Sequence, residues 1–161
     1  MENFSHLNKS GNATMVDVSG KHNTLRFASA SATLEFPPEL VGTLQAGNMQ
    51  THKGSILQIA IIAGIMAAKR TAELIPLCHP IGLDDCSINM EFNEAKELVI
   101  ICKTSVEGKT GVEMEALTGA TIAALTVYDM CKSMSHHIKI KEILLLKKTG
   151  GKNDFEIDSN G

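Results

Sequence analysis

The order of elements along this chain predicts an α+β domain of the ferredoxin-like, split-βαβ type: one antiparallel sheet with helices packed on one face. Two observations predict it. Apolar residues alternate with polar ones at 28–36, 86–92 and 98–106, the period of a half-buried strand, and two longer apolar stretches, 55–74 and 115–134, have the length of helices. With a last strand at 138–146, the long elements run strand, helix, strand, strand, helix, strand.

Each element has its own local reason. Residues 1–14 are polar and rich in Asn, Ser and Gly, and read as a loose arm. A short strand is expected at 15–19. In the first long strand Ala28, Ala30, Ala32, Leu34 and Phe36 share one face, with Ser29, Ser31, Thr33 and Glu35 on the other. Pro37-Pro38 stops that strand, and Pro38 can open a short helix that ends near Gly47. The helix at 55–74 is rich in Ile, Ala and Leu, and Pro76 and Pro80 end it. Cys86, Ile88, Met90 and Phe92 alternate on one strand and Leu98, Ile100, Cys102, Thr104 and Val106 on the next. The five residues 93–97 join the two as a hairpin. Gly108-Lys109-Thr110-Gly111 leads into the helix at 115–134, and the stretch from Thr149 onward reads as a mobile tail.

The 161 residues suit a single domain with a buried core, and no internal repeat or linker divides them. Hydrophobic residues make up 43% and charged residues 20%, with a net charge of -3, so a general nucleic-acid binder is disfavoured. The four cysteines form no C-x-x-C pair and sit in apolar segments, which suits free thiols in a reducing compartment. The first residues lack a charged-then-apolar leader pattern, and the apolar stretch 56–68 is too short to span a bilayer. A cytoplasmic, soluble protein is the expectation.

Polar residues concentrate at three junctions: 51–54, 77–80 and 108–115. Loops at element ends are where a rigid scaffold presents functional groups. Glu113 and Glu115 stand at a helix start, where the helix dipole favours acids whether or not they function, and two such neighbours could also divide the roles of acid and base. Asp129 and Lys132 are three residues apart and share a helix face. In a dry site such a pair could exchange protons near neutrality; on the surface it is an ion pair. Cys78-His79 lacks the further ligands a zinc site needs, so no metal site is expected. The glycine loop is not a P-loop. Lys53, Lys69, Arg70, Lys132, Lys147, Lys148 and Lys152 could gather around an anion only if the fold brings them together.

Several segments together resemble the molybdenum cofactor biosynthesis protein C family. They are Met15-Val16-Asp17-Val18, Lys53-Gly54, residues 62–71, Leu74-Ile75-Pro76-Leu77-Cys78-His79-Pro80, residues 108–118, Tyr128-Asp129-Met130-Cys131-Lys132 and Gly150-Gly151-Lys152. The resemblance covers nearly the whole chain in order. It implies a ferredoxin-like fold and a homohexamer, a trimer of dimers with active sites at a subunit interface. The implied activity is a lyase that converts a cyclised dihydro-GTP to cyclic pyranopterin monophosphate and releases pyrophosphate. Position by position, it implies catalytic roles for Asp129, Lys53 and Lys132. His79, Glu113 and Glu115 would hold the pterin and assist proton transfer, with Leu77, Cys78 and Met114 beside them; Arg26, Lys69 and Lys148 would face the phosphates, and Lys152 would sit on a mobile segment that closes over the ligand. No cofactor is required, and Mg²⁺ is left open as an aid to pyrophosphate. Ser55 stands where the family usually has Asp, and Ile61 where it often has Arg. A metabolite sensor or a non-catalytic assembly subunit is the alternative, because fold alone does not define activity.

Overall fold

The computed structural model describes residues 6–8, 10–51 and 54–157. Its elements are β1 (Thr24–Glu35), α1 (Pro38–Ala46), β2 (Gln50–Thr51), β3 (Gly54–Ser55), α2 (Ile56–Ala68), α3 (Thr71–Leu74), β4 (Asp85–Phe92), β5 (Leu98–Gly108), α4 (Glu113–Cys131), β6 (Lys139–Thr149) and β7 (Phe155–Glu156). Five strands form one antiparallel sheet in the order β4-β5-β1-β6-β7, and β2-β3 pair separately. This is the expected ferredoxin-like arrangement. Helix α4 lies across β1, β5 and β6, and α2 packs beside it over β4.

The small side chains of β1 set the depth of that packing. Ala28, Ala30 and Ala32 are wholly buried, as are Ala116, Ala120, Ala123 and Ala124 of α4. Without bulk on either side, helix and sheet approach closely. Helices α2 and α4 meet through glycine: a Cβ on Gly64 would lie 2.7 Å from the Gly119 carbonyl oxygen, and one on Gly119 would lie 2.6 Å from Cys102 Sγ. Phe36 and Phe92 close the far end with ring centroids 6.2 Å apart. Among the described residues no helix packs on the other face of the sheet; there Ser29 and Ser31 are flanked by Lys103 and Ile101 of β5 and by Lys147 and Leu144 of β6.

Four differences from the sequence reading have local causes. The helix expected at 55–74 breaks after Ala68: Arg70 leaves helical geometry (φ −116°, ψ 18°), and the buried Thr71 hydroxyl donates to the Ala68 carbonyl at 2.9 Å. The break falls in the polar end of the expected helix, at Lys69 and Arg70, where no proline or glycine marks it. Helix α4 begins and ends earlier than 115–134. Strand β6 extends to Thr149 and carries two register shifts against β1, one between Ser29 and Ala30, which is why three leucines, 144–146, follow one another without alternation. The strand expected at 15–19 makes no ladder; Asp17 Oδ1 instead accepts the Ser19 amide at 2.8 Å, a local turn that competes with pairing. Within the arm, Asn8 Oδ1 accepts from the amides of Ser10 and Asn12, and within the tail Phe155–Glu156 add a short edge strand.

Ser55, the departure from the family pattern, is the N-cap of α2, and its Oγ accepts the Gln58 amide at 3.3 Å. Aspartate and serine are interchangeable in that role. Ile61 is half-buried against the core.

Gly64→Ala is expected to cost about 1–3 kcal/mol, because the new methyl meets main chain that α4 cannot move without leaving the sheet. Urea denaturation at constant slope measures it, and an unchanged midpoint would show that the helix pair can separate freely.

Candidate functional site

The N-terminus of α4 is the centre of the site. Gly108-Lys109-Thr110-Gly111 carries the chain from β5 to this helix, and Arg26 holds the loop from beneath: its Nε donates to the Gly108 carbonyl at 3.2 Å and its Nη2 to the Lys109 carbonyl at 3.4 Å. Arg26 lies on the helix face because β1 alternates and Ala28 faces α4. Lys148 of β6 pairs with Ala28 in register, so its side chain emerges on the same face, and its Nζ reaches Glu113 Oε1 at 3.1 Å.

Two openings meet at Glu113. The first, about 310 Å³, is lined on one side by Leu77, Cys78, His79 and Ile81, and on the other by Glu113, Met114 and Glu115. The N-terminal segment crosses it with Val16, Val18 and Lys21. That segment is pinned twice: His79 Nε2 lies 2.7 Å from the Val16 carbonyl oxygen, and Lys109 Nζ donates to the Ser19 carbonyl at 3.0 Å. A carbonyl only accepts, so His79 Nε2 carries a proton and donates it to Val16. The second opening, about 150 Å³, gathers five cations, Lys21, Arg26, Lys109, Lys148 and Lys152, around the single carboxylate Glu113. The free amides of the first turn of α4 add to that positive field.

The two acids therefore stand in different surroundings. Glu113 is ion-paired and half-buried. Glu115 is only 3% exposed, and its carboxyl is pushed up to about 7, first by burial and then by the neighbouring Glu113, while a hydrogen bond from its own amide pulls the other way. Burial, and to a smaller extent Glu115, also raise the Cys78 thiol. A carboxyl balanced near neutrality beside a cationic cleft has the makings of a proton donor and acceptor for a phosphorylated ligand.

Of the residues expected from sequence, Arg26, Leu77, Cys78, His79, Glu113, Met114, Glu115, Lys148 and Lys152 come together here. Lys69 does not join the cationic cleft; it lies with Arg70 behind Glu115 in a separate opening. Asp129 and Lys132 stand at the other end of α4, sixteen residues and about 24 Å of helix from Glu113. There Lys132 Nζ donates to Asp129 Oδ1 at 2.6 Å, with the side chains 54% and 66% exposed, so within one chain they form a solvated ion pair. Lys53 lies outside the described residues. Sequence reasoning passed over Lys21, Lys109 and Thr110. The last two sit inside the glycine loop, where neither was given a role of its own, and nothing in the pattern around Lys21 marks it. Lys147 pairs with Ser29 on the opposite face and bonds Glu156 at 2.9 Å, away from the cleft. Among the described residues no three His, Cys, Asp or Glu side chains cluster as metal ligands.

The fold and site define a ferredoxin-like domain with an acid–base pocket next to a phosphate-sized cationic cleft. Comparison with known proteins gives the family: the MoaC family model matches residues 15–151, and the chain belongs to that family. A cyclic pyranopterin monophosphate synthase of Xanthomonas campestris is 49% identical over 152 residues, which cover 94% of this chain and 92% of the relative. Enzymes of the same name from Clostridium acetobutylicum and Peptoclostridium acidaminophilum are each 46% identical over 157 residues, covering 96% and 97% of this chain and 96% and 98% of theirs.

Because Glu115 is harder to ionise folded than unfolded, its contribution is fully present below about pH 4.5 and is lost as pH rises to about 7. Glu115→Gln should thus stabilise the fold above pH 7 by up to about 3 kcal/mol and leave it nearly unchanged at pH 4. Denaturation at the two pH values reads the difference, and equal changes at both would mean that burial does not hold Glu115 neutral.

Proposed function

We propose that this protein is a cyclic pyranopterin monophosphate synthase of molybdenum cofactor biosynthesis, a lyase acting on a cyclised dihydro-GTP. The observation that carries the reading is the junction at Glu113 of an acid–base pocket with a five-cation cleft, in a chain of this family. The base of the substrate suits the first opening, walled by Leu77, Ile81 and Met114, with His79 and Glu115 in reach of ring nitrogens. Its triphosphate suits the cleft. A substrate hydroxyl attacks the α-phosphorus, its proton passes to a carboxylate, the bond to the outer phosphates breaks, and pyrophosphate leaves into positive charge. Side chains carry this chemistry without a required cofactor, so EDTA should leave turnover within about twofold of its starting value, whereas essential metal assistance would abolish it.

The separation of Asp129 and Lys132 from Glu113 supports a shared site. A second copy that brings its Asp129 end to this pocket unites the two groups, and the helix-free sheet face, with its buried Ser29, Ser31 and Thr33 and exposed Leu144, is a surface on which copies could associate. We take the assembly to be a homohexamer, a trimer of dimers. No helix among the described residues is long and apolar enough to cross a membrane, and the free thiols suit the cytoplasm.

The purified protein should convert the cyclised dihydro-GTP to pyrophosphate and the pterin product, and Asp129→Asn should lose at least about 100-fold in kcat. A folded wild-type protein that binds the compound and returns it unchanged would favour the sensor alternative; one that neither turns it over nor yields to competition by pyrophosphate would favour an assembly subunit. Mixing the inactive Asp129→Asn and Glu113→Gln chains by co-refolding should restore about a quarter of wild-type activity, since half the random dimers are mixed and each carries one intact site of two. No recovery would place the whole site within one chain.

A further inference from the structure

We propose that Glu115 is a proton relay, passing protons between the reaction pocket and a second cavity behind it from which they reach solvent. This rests on the function proposed above and adds a route to it. The second cavity, about 280 Å³, is framed by Ala68–Glu73 on one side and by Pro80, Ile81 and Gly82 on the other. Among the described residues only Ile81 and Glu115 line both openings, so Glu115 is the one described ionisable residue common to them.

The geometry gives the relay a direction. A substrate with its phosphates in the cleft and its base in the first pocket occupies the front of the site, beneath the N-terminal segment pinned by His79 and Lys109. Glu115, held in the first turn of α4, reaches the space behind without movement of the helix. The hydroxyl that attacks phosphorus gives its proton to the Glu115 carboxylate as the new P–O bond forms and the bond to pyrophosphate breaks. The neutral acid then gives that proton to water in the second cavity, and the carboxylate is restored. The charged and titratable groups around it are Glu113 on its own helix, Cys78 and His79 from the loop before β4, and His6 and Lys21 from the N-terminal segment. Lys69 and Arg70 from the end of α2 and Glu73 of α3 line the cavity behind. Glu113, tied to Lys148, faces the phosphate cleft and is not placed to serve the same route.

Gly82 allows a test that leaves the catalytic groups in place. A Cβ there meets nothing within 4 Å and its φ is ordinary, so Gly82→Leu can extend into the second cavity without moving the main chain. Its kcat should fall about tenfold with KM unchanged, and the solvent deuterium effect on kcat should rise as proton exit becomes limiting. Gly82→Ala should behave as wild type, and Ala72→Met, which enters the same cavity from α3, should reproduce the slow phenotype. Wild-type kcat in Gly82→Leu, or a loss without change in the deuterium effect, would overturn the relay. A wild-type protein without turnover would instead refute the function itself.

Discussion

The close seating of α4 on the sheet is the constraint on which the rest of the molecule depends. A helix meets a sheet at a distance set by the side chains between them. Here those side chains are the alanines of β1 and of α4, with Gly64 and Gly119 where α2 crosses. The short distance places the first turn of α4 level with Arg26 and Lys148, whose strands present them on the helix face. Larger residues along β1 would lift the helix and separate Glu113 from Lys148, and with them the pocket from the cleft. Core packing and site geometry are thus one arrangement.

The same seating makes Glu113 and Glu115 different, although they are two residues apart. Successive positions on a helix turn by about 100°, so residues two apart face in markedly different directions. Glu113 turns to the lysines and is stabilised by charge, while Glu115 turns to the protein interior and is destabilised as an anion by lost hydration. One short motif thereby supplies a charged group at the cationic cleft and a titrating group at the neighbouring opening.

The fold was readable because its strands alternate and its turns carry proline and glycine. It became unreadable where no proline or glycine marks a change: at Thr71, whose hydroxyl bonds back to Ala68 just past the end of α2, and at 144–146, where a register shift breaks the alternation of β6. The pocket was partly readable. Arg26 and Lys148 carry no motif of their own, and it is strand parity, once the register is known, that brings them together. Lys69 looked equivalent to them by charge alone, yet it follows the end of α2 and lies on the other side of Glu115. Lys21, in a segment without periodicity, offers only a positive charge, and its place depends on how that segment crosses the pocket.

Asp129 shows the limit of reasoning within one chain. By spacing it is half of an i,i+3 ion pair, and the structure finds that pair in solvent at 2.6 Å. A surface pair of this kind contributes little to stability, so a stability argument does not explain the two residues. A catalytic argument does, provided the carboxylate and ammonium enter a drier environment than the one a single chain provides. Enclosure by a neighbouring copy would strengthen their mutual field and bring them to the acid–base pocket at the far end of that copy's α4. A rigid nineteen-residue helix holds its two ends apart and cannot unite them by bending. On the proposed function, assembly would be part of the chemistry: the feature that keeps the two groups apart in one chain would make them complementary between two.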